Sequence, residues 1–134
     1  MKTTDMSPAH AINTHHLDAT GIPLGRLATK IADLLRGKGK VSFVHHQDQG
    51  DSVVVVNAAA VKLTGRKLDQ KEYYHHTGYI GNLKTITMKN LMITQPEEVI
   101  ERAVAGMLPK NRLRAVWLKR LTVYRSDEGE HHAR

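Results

Sequence analysis

The chain has 134 residues, a length typical of one domain and sufficient to bury a core. Its 20 Lys and Arg outnumber 13 Asp and Glu, and the formal net charge of +7 favours polyanionic partners such as nucleic acid. The absence of cysteine excludes disulfides, thiolate metal sites and a cysteine nucleophile. No apolar run approaches the ~20 residues that cross a bilayer, so we expect no membrane partner.

The N-terminal third is predicted to contain an arm, a strand and a helix. Residues 1–12 are polar and without periodicity, which predicts a flexible arm. Residues 13–18 predict a first strand, although the polar run of Thr14, His15 and His16 is unusual in one. From Leu24 onward apolar residues recur at helical spacing, which predicts an amphipathic helix that ends at Gly37.

The middle of the chain is predicted to contain a buried strand and a second long helix. Residues 52–57 include four consecutive valines, a pattern typical of a strand covered on both faces in a parallel sheet. Residues 61–64 predict a short extended piece, followed by a loop at Arg66 and Lys67. Residues 94–97 have the spacing of a helix-capping box, so a helix is expected from there to about residue 107.

The C-terminal part is predicted to contain a third helix, a strand and a tail. Apolar spacing over residues 113–121 predicts the helix, and residues 122–124 a short last strand. The polar residues 126–134 predict a flexible tail. The domain organisation expected from the sequence is therefore one domain over residues 13–125 with a flexible segment at each end.

Two basic segments are candidates for binding nucleic acid. Residues 36–40 alternate three cations with two glycines, so the backbone could approach a phosphate closely. From Arg102 to Arg125 there are seven cations and no carboxylate, which indicates that the neutralising anions come from a partner. The alternative for both segments is an ordinary solvated surface.

A third candidate is the segment 71–84, which contains three of the four tyrosines, two histidines and three glycine or asparagine turn residues. Rings among small residues suit an irregular loop that contacts unpaired bases and 2′-hydroxyls of RNA. The alternative is that one or two tyrosines cap the hydrophobic core with their hydroxyls in water.

Several sharper motifs are weaker. Gly78 and Gly81 have the spacing of the G-x-x-G loop of KH domains, but no cation lies between them to clamp a backbone. The histidine pairs at residues 15–16, 45–46 and 75–76 have different flanking residues, so they do not indicate a sequence repeat. Neighbouring side chains also rarely chelate one metal. A Mg²⁺-dependent nuclease using His46, Asp48 and Asp51 is the enzymatic alternative, and it requires carboxylates that converge in a pocket. A regulator that binds messenger RNA would share the same basic surface.

Four blocks of residues resemble a known family, the universal large-subunit ribosomal protein numbered thirteen in the bacterial scheme. The resemblance runs from about residue 17 to residue 124, and three short stretches, at residues 14–16, 114–116 and the tail, depart from the family pattern. The blocks are Leu24-Gly25-Arg26-Leu27-Ala28 with Leu34-Leu35-Arg36-Gly37-Lys38; His46, Asp48, Gly50 and Asp51 with Val55-Val56-Asn57-Ala58; Tyr73-Tyr74, His76, Gly78-Tyr79 and Leu83-Lys84; and Gly106-Met107-Leu108-Pro109-Lys110-Asn111 with Leu118-Lys119-Arg120-Leu121.

The resemblance implies both a fold and a function. The fold is a three-layer α/β/α domain around a four-stranded, mostly parallel central sheet. The function is that of a structural constituent of the large ribosomal subunit, which binds ribosomal RNA, supports early assembly and has neighbouring large-subunit proteins as partners. We expect no catalysis, no cofactor, no metal and no small-molecule substrate, and a location in cytoplasmic or organellar ribosomes.

The expected RNA contacts fall into two groups. Cations are expected to bind phosphates, which dominate affinity for nucleic acid, whereas rings and an amide are expected to contact bases or sugars. The phosphate group consists of Arg36, Lys38, Lys40, Arg66, Lys67, Lys84, Lys110, Arg112, Lys119 and Arg120. The base or sugar group consists of Tyr74, His76, Tyr79 and Asn111.

Overall fold

A computed structural model of the chain describes residues 11–127. The strands are β1 (Thr14–Asp18), β2 (Ser52–Val56), β3 (Glu72–His76), β4 (Leu83–Thr87) and β5 (Leu121–Val123). The helices are α1 (Leu24–Arg36), α2 (Lys67–Gln70), α3 (Met88–Thr94), α4 (Pro96–Met107) and α5 (Leu113–Lys119), with a 3₁₀ turn at Ala58–Ala60. The arm and tail lie almost entirely outside the described residues, so those boundaries and the single domain between them stay predictions.

The main sheet has three parallel strands in the order β1-β2-β5. In the central strand β2, Val53 lies beside His15 on one neighbour and beside Leu121 on the other. Val53 and Val55 are fully buried because they point toward the helices. The α/β class expected from the sequence is confirmed.

The expected four-stranded sheet is wrong. The segment predicted to be extended at residues 61–64 makes only a single bridge, between Lys62 and Pro23. Lys62 N–H donates to the Ile22 carbonyl (3.0 Å), and Leu24 N–H donates to the Lys62 carbonyl (3.1 Å). The pairing stops there because Pro23 has no N–H to donate and α1 begins at the next residue.

Helices α1, α4 and α5 contact one another as well as strands of the main sheet, and the expected three-layer arrangement stays a prediction. Val53 and Val55 of β2 face the main core. On the opposite side of β2, Val54 and Val56 are half-buried. Four valines in a row indicate a strand because β-branched side chains suit extended backbone, but this preference does not require both faces to be covered.

The two long helices begin and end for local reasons. Helix α1 ends where Gly37 adopts a left-handed conformation (φ 73°), as predicted. Helix α4 begins at Pro96, whose fixed φ suits a first turn. The predicted capping box is not formed, because Thr94 is the last residue of α3 and its hydroxyl donates to the Asn90 carbonyl (2.9 Å) instead.

Residues 71–84 form most of an antiparallel hairpin rather than the irregular loop that the sequence predicted. Tyr73 and Ile86 face each other across β3 and β4 and pack on a second small core. The central residues of that core are Met88, Leu91 and Val99. This apolar pair gives the hairpin one buried side, which the high proportion of polar and glycine residues concealed.

The C-terminal elements follow the prediction closely. Helix α5 has the predicted apolar side, and its Trp117 is only 2% exposed. The last strand begins at Leu121, one residue earlier than expected. The short helix α2 occupies the stretch that was predicted to be a loop. Within residues 11–127, no helix is long and apolar enough to cross a membrane.

Candidate nucleic-acid interface

The most basic surface lies on and before α5. Leu113 and Leu118 are half-buried and Trp117 is buried, so the apolar side of α5 faces the core. The cations on its other side point outward as a result. Three of these cations have exposed side chains that make no hydrogen bond or ion pair with other described residues. They are Lys110, Arg112 and Lys119.

Asn111, which was expected to contact a base or sugar, lies at the start of α5. Its side-chain oxygen accepts a hydrogen bond from the backbone N–H of Arg114 (3.2 Å). This bond satisfies one of the N–H groups that a helix start leaves without a partner. Asn111 therefore has a structural task in the protein itself, although its side chain is exposed.

Arg120 lies in an internal cluster, which we call the Asp48 cluster and define as Asp48, Gly50, Trp117 and Arg120. The Arg120 guanidinium donates to the Asp48 carboxylate and to the Gly50 carbonyl (2.8 Å), and its side chain is only 14% exposed. The Trp117 indole N–H donates to the same carboxylate (3.0 Å). This cluster ties the segment before β2 to α5.

The Asp48 carboxylate is held ionised by its donors. Partial burial acts to raise its pKa, but the hydrogen bonds from Arg120, the Gly50 N–H and Trp117 outweigh this, so the pKa of Asp48 lies below its usual value. An acceptor that remains negative can hold the Arg120 guanidinium at neutral pH. The charge of Arg120 is consequently matched inside the protein.

Lys40 lies in a second internal cluster, the Asp51 cluster, defined as Asn13, His15, Lys40 and Asp51. The buried Asp51 carboxylate accepts from Lys40 Nζ (2.5 Å) and from the Asn13 N–H (3.1 Å), and His15 Nε2 lies 2.9 Å away. Burial acts to raise the pKa of Asp51, but the bonds from Lys40, His15 and Asn13 lower it from 3.8 to about 2. The cluster joins the residues before β1 to those before β2.

Arg36 is also engaged within the protein. Its guanidinium lies 5.7 Å from the ring centroid of Phe43 and 6.0 Å from that of Trp117, within the range of cation–π attraction. Lys38 differs because its side chain is 59% exposed, and its amine is 3.9 Å from the Asp33 carboxylate. Of the three cations in residues 36–40, only Lys38 has a mostly exposed side chain.

The glycines of this region are required by backbone packing. A Cβ atom at Gly50 would lie 1.5 Å from the Leu35 carbonyl oxygen, and one at Gly37 would lie 2.3 Å from the Gln49 carbonyl oxygen. Both positions therefore exclude any larger residue. The close approach that the sequence suggested at Gly37 is made to this protein's own backbone.

The hairpin of β3 and β4 holds four further candidates, all exposed. Tyr74 and Tyr79 are 61% and 75% exposed, which is unusual for such large rings. The Tyr74 hydroxyl donates to the Glu72 carboxylate (3.0 Å), and His76 Nδ1 accepts from the Gly78 N–H (2.9 Å). The remaining candidate on the hairpin is Lys84.

Arg66 and Lys67 lie at the start of α2 and are both exposed. Helix α2 contacts β4 and α3, so this pair lies on the hairpin side of the molecule. The structure thus gathers the predicted residues into two regions. One surrounds α5 and the end of α1, and the other consists of the hairpin and α2.

The sequence does not single out Lys62, and it gives Asp48 and Asp51 a role only in the enzymatic alternative. Lys62 is exposed near Lys67, but it is an isolated cation in the sequence, so no local pattern marks it. The two carboxylates are separately bonded to different donors and do not converge in a pocket. Within residues 11–127, no group of three or more potential ligands could hold a metal ion.

The chain matches the family "Ribosomal protein L13" over residues 12–130. It is 51% identical over 135 residues to the "Large ribosomal subunit protein uL13" of Natranaerobius thermophilus, which covers 99% of this chain and 94% of the relative. It is 52% identical over 134 residues to the protein of the same name from Clostridioides difficile, with the same shares covered. A family match over residues 12–130, together with about 50% identity over nearly the whole of both chains, shows that the chain belongs to the ribosomal protein L13 family.

Proposed function

We propose that the chain is a structural constituent of the large ribosomal subunit that binds ribosomal RNA. The observation that carries this proposal is the match to the ribosomal protein L13 family over nearly the full chain. The exposed cations around α5 support it, because they lack carboxylate partners and α5 is fixed rigidly by its buried apolar side. Phosphates are the anions that such a surface would neutralise where RNA helices converge.

Within this proposal the predicted residues divide by exposure. The exposed cations are proposed as direct phosphate contacts, and the exposed rings of the hairpin as contacts to bases or sugars. Arg36, Lys40 and Arg120 are engaged inside the protein and would act on RNA mainly by shaping the surface around them. The exposed cations are Lys38, Arg66, Lys67, Lys84, Lys110, Arg112 and Lys119.

A place early in subunit assembly belongs to the same proposal. A protein whose folded core forms without RNA can bind a fragment of RNA before the rest of the subunit is present. The described residues contain a hydrophobic core whose main cluster has fifteen buried side chains, all contributed by this chain, and this supports the proposal. Neighbouring large-subunit proteins are the further partners proposed.

The nuclease alternative finds no support in the geometry. Asp48 accepts hydrogen bonds from a tryptophan, an arginine and a backbone N–H, and Asp51 from a lysine, a histidine and a backbone N–H. Carboxylates bonded in this way stabilise the loop before β2, and the two are held by different donors instead of facing one common site. A structural protein without catalysis is therefore the function that these residues favour.

The test replaces Lys110, Arg112 and Lys119 together by Gln. Each phosphate contact that is lost should reduce the slope of log K against log salt by about 1 for a large-subunit RNA fragment. Thermal unfolding should change little, because exposed substitutions cost within about 0.5 kcal/mol each. Arg120 is left in place, since its loss would damage the Asp48 cluster.

The matched control replaces Arg26, Lys30 and Lys89 by Gln, which removes the same charge from exposed helix positions outside the predicted set. The control should bind and enter large subunits much as the parent does. Equal incorporation of the test variant and the parent in a competition assay would show that the α5 surface is merely solvated. A parent protein that fails to co-sediment with large subunits after a high-salt wash would overturn the proposed function itself.

A further inference from the structure

A groove of about 460 Å³ lies between the start of α1, the end of α4 and the segment 62–71. This volume is in the range of cavities that hold small ligands. Apolar side chains form much of its lining, and of the residues predicted from the sequence to bind RNA only Lys67 borders it. The apolar residues that line it include Leu24, Leu63, Met88 and Met107.

The charged side chains that line the groove are all basic. Its charged lining residues are Lys62, Lys67, Lys71 and Arg102, and no carboxylate is among the described residues that line it. The Arg102 guanidinium is paired with Glu98 (2.5 Å) on the same helix, and Lys71 Nζ lies 5.2 Å from the centroid of the Tyr73 ring.

The ammonium groups of Lys62 and Lys67 are the cations of the groove that face neither a carboxylate nor a ring of the described residues. Neither side chain makes a hydrogen bond or an ion pair with any described residue, and both residues are exposed. The second basic cavity of the protein differs in this respect. It is lined by Lys38 and Lys40, but also by Asp33 and Asp51, which pair with them.

Two helical glycines keep the groove open. Gly25 near the start of α1 and Gly106 near the end of α4 both line it, and a Cβ atom at either position would meet nothing within 4 Å. Neither glycine has a positive φ. Because helices favour alanine over glycine, folding alone would favour a larger residue at both positions. The bare backbone leaves space that this protein's own side chains do not use.

We propose that this groove binds one unpaired nucleotide of the ribosomal RNA. The base would lie against the apolar lining near Leu24 and Met107, and the phosphate would lie between Lys62 and Lys67. A nucleotide combines a flat, largely apolar face with an anion, which matches an apolar groove with unmatched cations at its edge. The inference rests on the proposed function and adds a specific site to it.

The first experiment tests the phosphate contact. Lys62→Gln and Lys67→Gln are combined in the full chain, and binding to in vitro transcribed large-subunit ribosomal RNA is titrated at several salt concentrations. The slope of log K against log salt should fall by about 1, because the two lysines together neutralise one phosphate. The matched control combines Arg26→Gln with Lys89→Gln, which removes equal charge away from the groove and should leave the slope unchanged. Equal slopes in the two double variants would overturn the inference.

The second experiment fills the space for the base. Gly106→Leu should lower the affinity for the same RNA by about tenfold, as expected for the loss of one well-stacked base. The slope against salt should stay the same, because no charge changes. Gly106→Ala is the control, since it adds only a methyl group and should bind like the parent. Both variants should melt no lower than the parent, which separates a blocked groove from a damaged fold. Parent-like affinity of Gly106→Leu would overturn the inference.

A third experiment identifies the occupant. Thr64→p-benzoylphenylalanine places a photoreactive group at the exposed edge of the groove, and the variant is incorporated into large subunits before irradiation. A crosslink to a ribosomal RNA nucleotide supports the proposal, whereas a crosslink to a neighbouring protein alone overturns it. If the variant fails to enter large subunits while the parent enters them, the same irradiation is carried out on its complex with the transcribed RNA. Because the parent's co-sedimentation tests the function separately, the site can fail while the function stands.

Discussion

The two basic regions of this protein differ in how many of their candidate RNA-binding side chains are bound within the protein itself. Around the end of α1 and α5, Arg36, Lys40 and Arg120 are bound to rings or carboxylates of the protein itself. On the hairpin of β3 and β4, Tyr74 and Tyr79 project into solvent with little cover. The sequence alone does not distinguish the cations and rings that stabilise the fold from those that are exposed and can bind RNA. The folded structure makes this distinction.

The difference follows from where each region lies relative to the core. Trp117 is buried in the main core and brings its indole N–H to Asp48, so Arg120 is held in a partly dehydrated place where a partner for its charge is necessary. The hairpin is a two-stranded sheet with one side on a small core, so side chains on its other side, such as that of Tyr74, are exposed. A charged side chain that is buried is paired within the protein, whereas a side chain that is exposed can contact a partner.

Trp117→Ala should produce the largest effect on stability, because the buried side of α5 packs in the main core. Truncating a buried tryptophan costs about 3 to 5 kcal/mol of the free energy of unfolding, and this one also loses its bond to Asp48. Urea denaturation followed by far-UV circular dichroism measures the change. Val116→Ala, on the exposed side of the same helix, is the control and should change stability by less than about 0.5 kcal/mol. Similar stability of the two variants would contradict the comparison.

Asp48→Asn should produce the next largest effect. The amide oxygen can still accept from Trp117, but the Arg120 guanidinium loses its charged partner in a partly buried place, which should cost about 1 to 3 kcal/mol. Asp69→Asn, at an exposed position of α2, is the control for loss of one carboxylate. Chemical denaturation of both variants provides the measurement. Mg²⁺-dependent RNA cleavage by highly purified parent protein, abolished in Asp48→Asn, would instead revive the nuclease alternative.

Acid below about pH 4 should weaken the Asp48 cluster and the Asp51 cluster. The pKa of Asp51 is lowered from 3.8 to about 2 in the folded protein, so its contribution to stability is complete above the unfolded value of about 3.9. That contribution is lost as the pH falls from about 4 toward 2, and Asp48, whose pKa is also lowered, acts in the same direction. Thermal unfolding followed by Trp117 fluorescence should show a stability gap between the parent and Asp51→Asn that narrows as the pH falls. A gap that is constant from pH 5 to pH 2 would be evidence against the Asp51 cluster.

Most of the fold could be predicted from the spacing of apolar residues along the chain. The errors arose where the structure depends on contacts between residues far apart in the sequence. Helix α1, helix α5 and the valine strand followed from apolar spacing, because that spacing reflects which side of an element faces the core. The fourth strand failed because one residue, Pro23, ends the extended pairing beside Lys62. The hairpin was missed because its burial depends on Tyr73 and Ile86 meeting a core assembled from residues further along the chain.

The candidate site was predictable as a set of residue types but not as a surface. The sequence places Lys119 and Arg120 side by side, yet the first is exposed and the second is bonded to Asp48, 72 residues away. The residues around Arg120 in the sequence contain no pattern that predicts an ion pair with a carboxylate so far away along the chain. The groove beside Lys62 was invisible for the same reason, since its lining comes from four separate parts of the chain.

Tyr79→Ala should have the smallest effect on stability and the clearest effect on binding. The ring is 75% exposed at the turn of the hairpin, so its removal should change the free energy of unfolding by less than about 0.5 kcal/mol. A ring that stacks on an unpaired base should contribute about 1 to 3 kcal/mol to RNA affinity, and that amount should be lost. Tyr73→Ala is the matched control on the same hairpin, because Tyr73 is half-buried and lies 5.0 Å from the Arg102 guanidinium. This control should lower stability. If Tyr79→Ala unfolds as readily as Tyr73→Ala, or binds ribosomal RNA as tightly as the parent, the hairpin is not the exposed binding element that its contrast with the α5 region indicates.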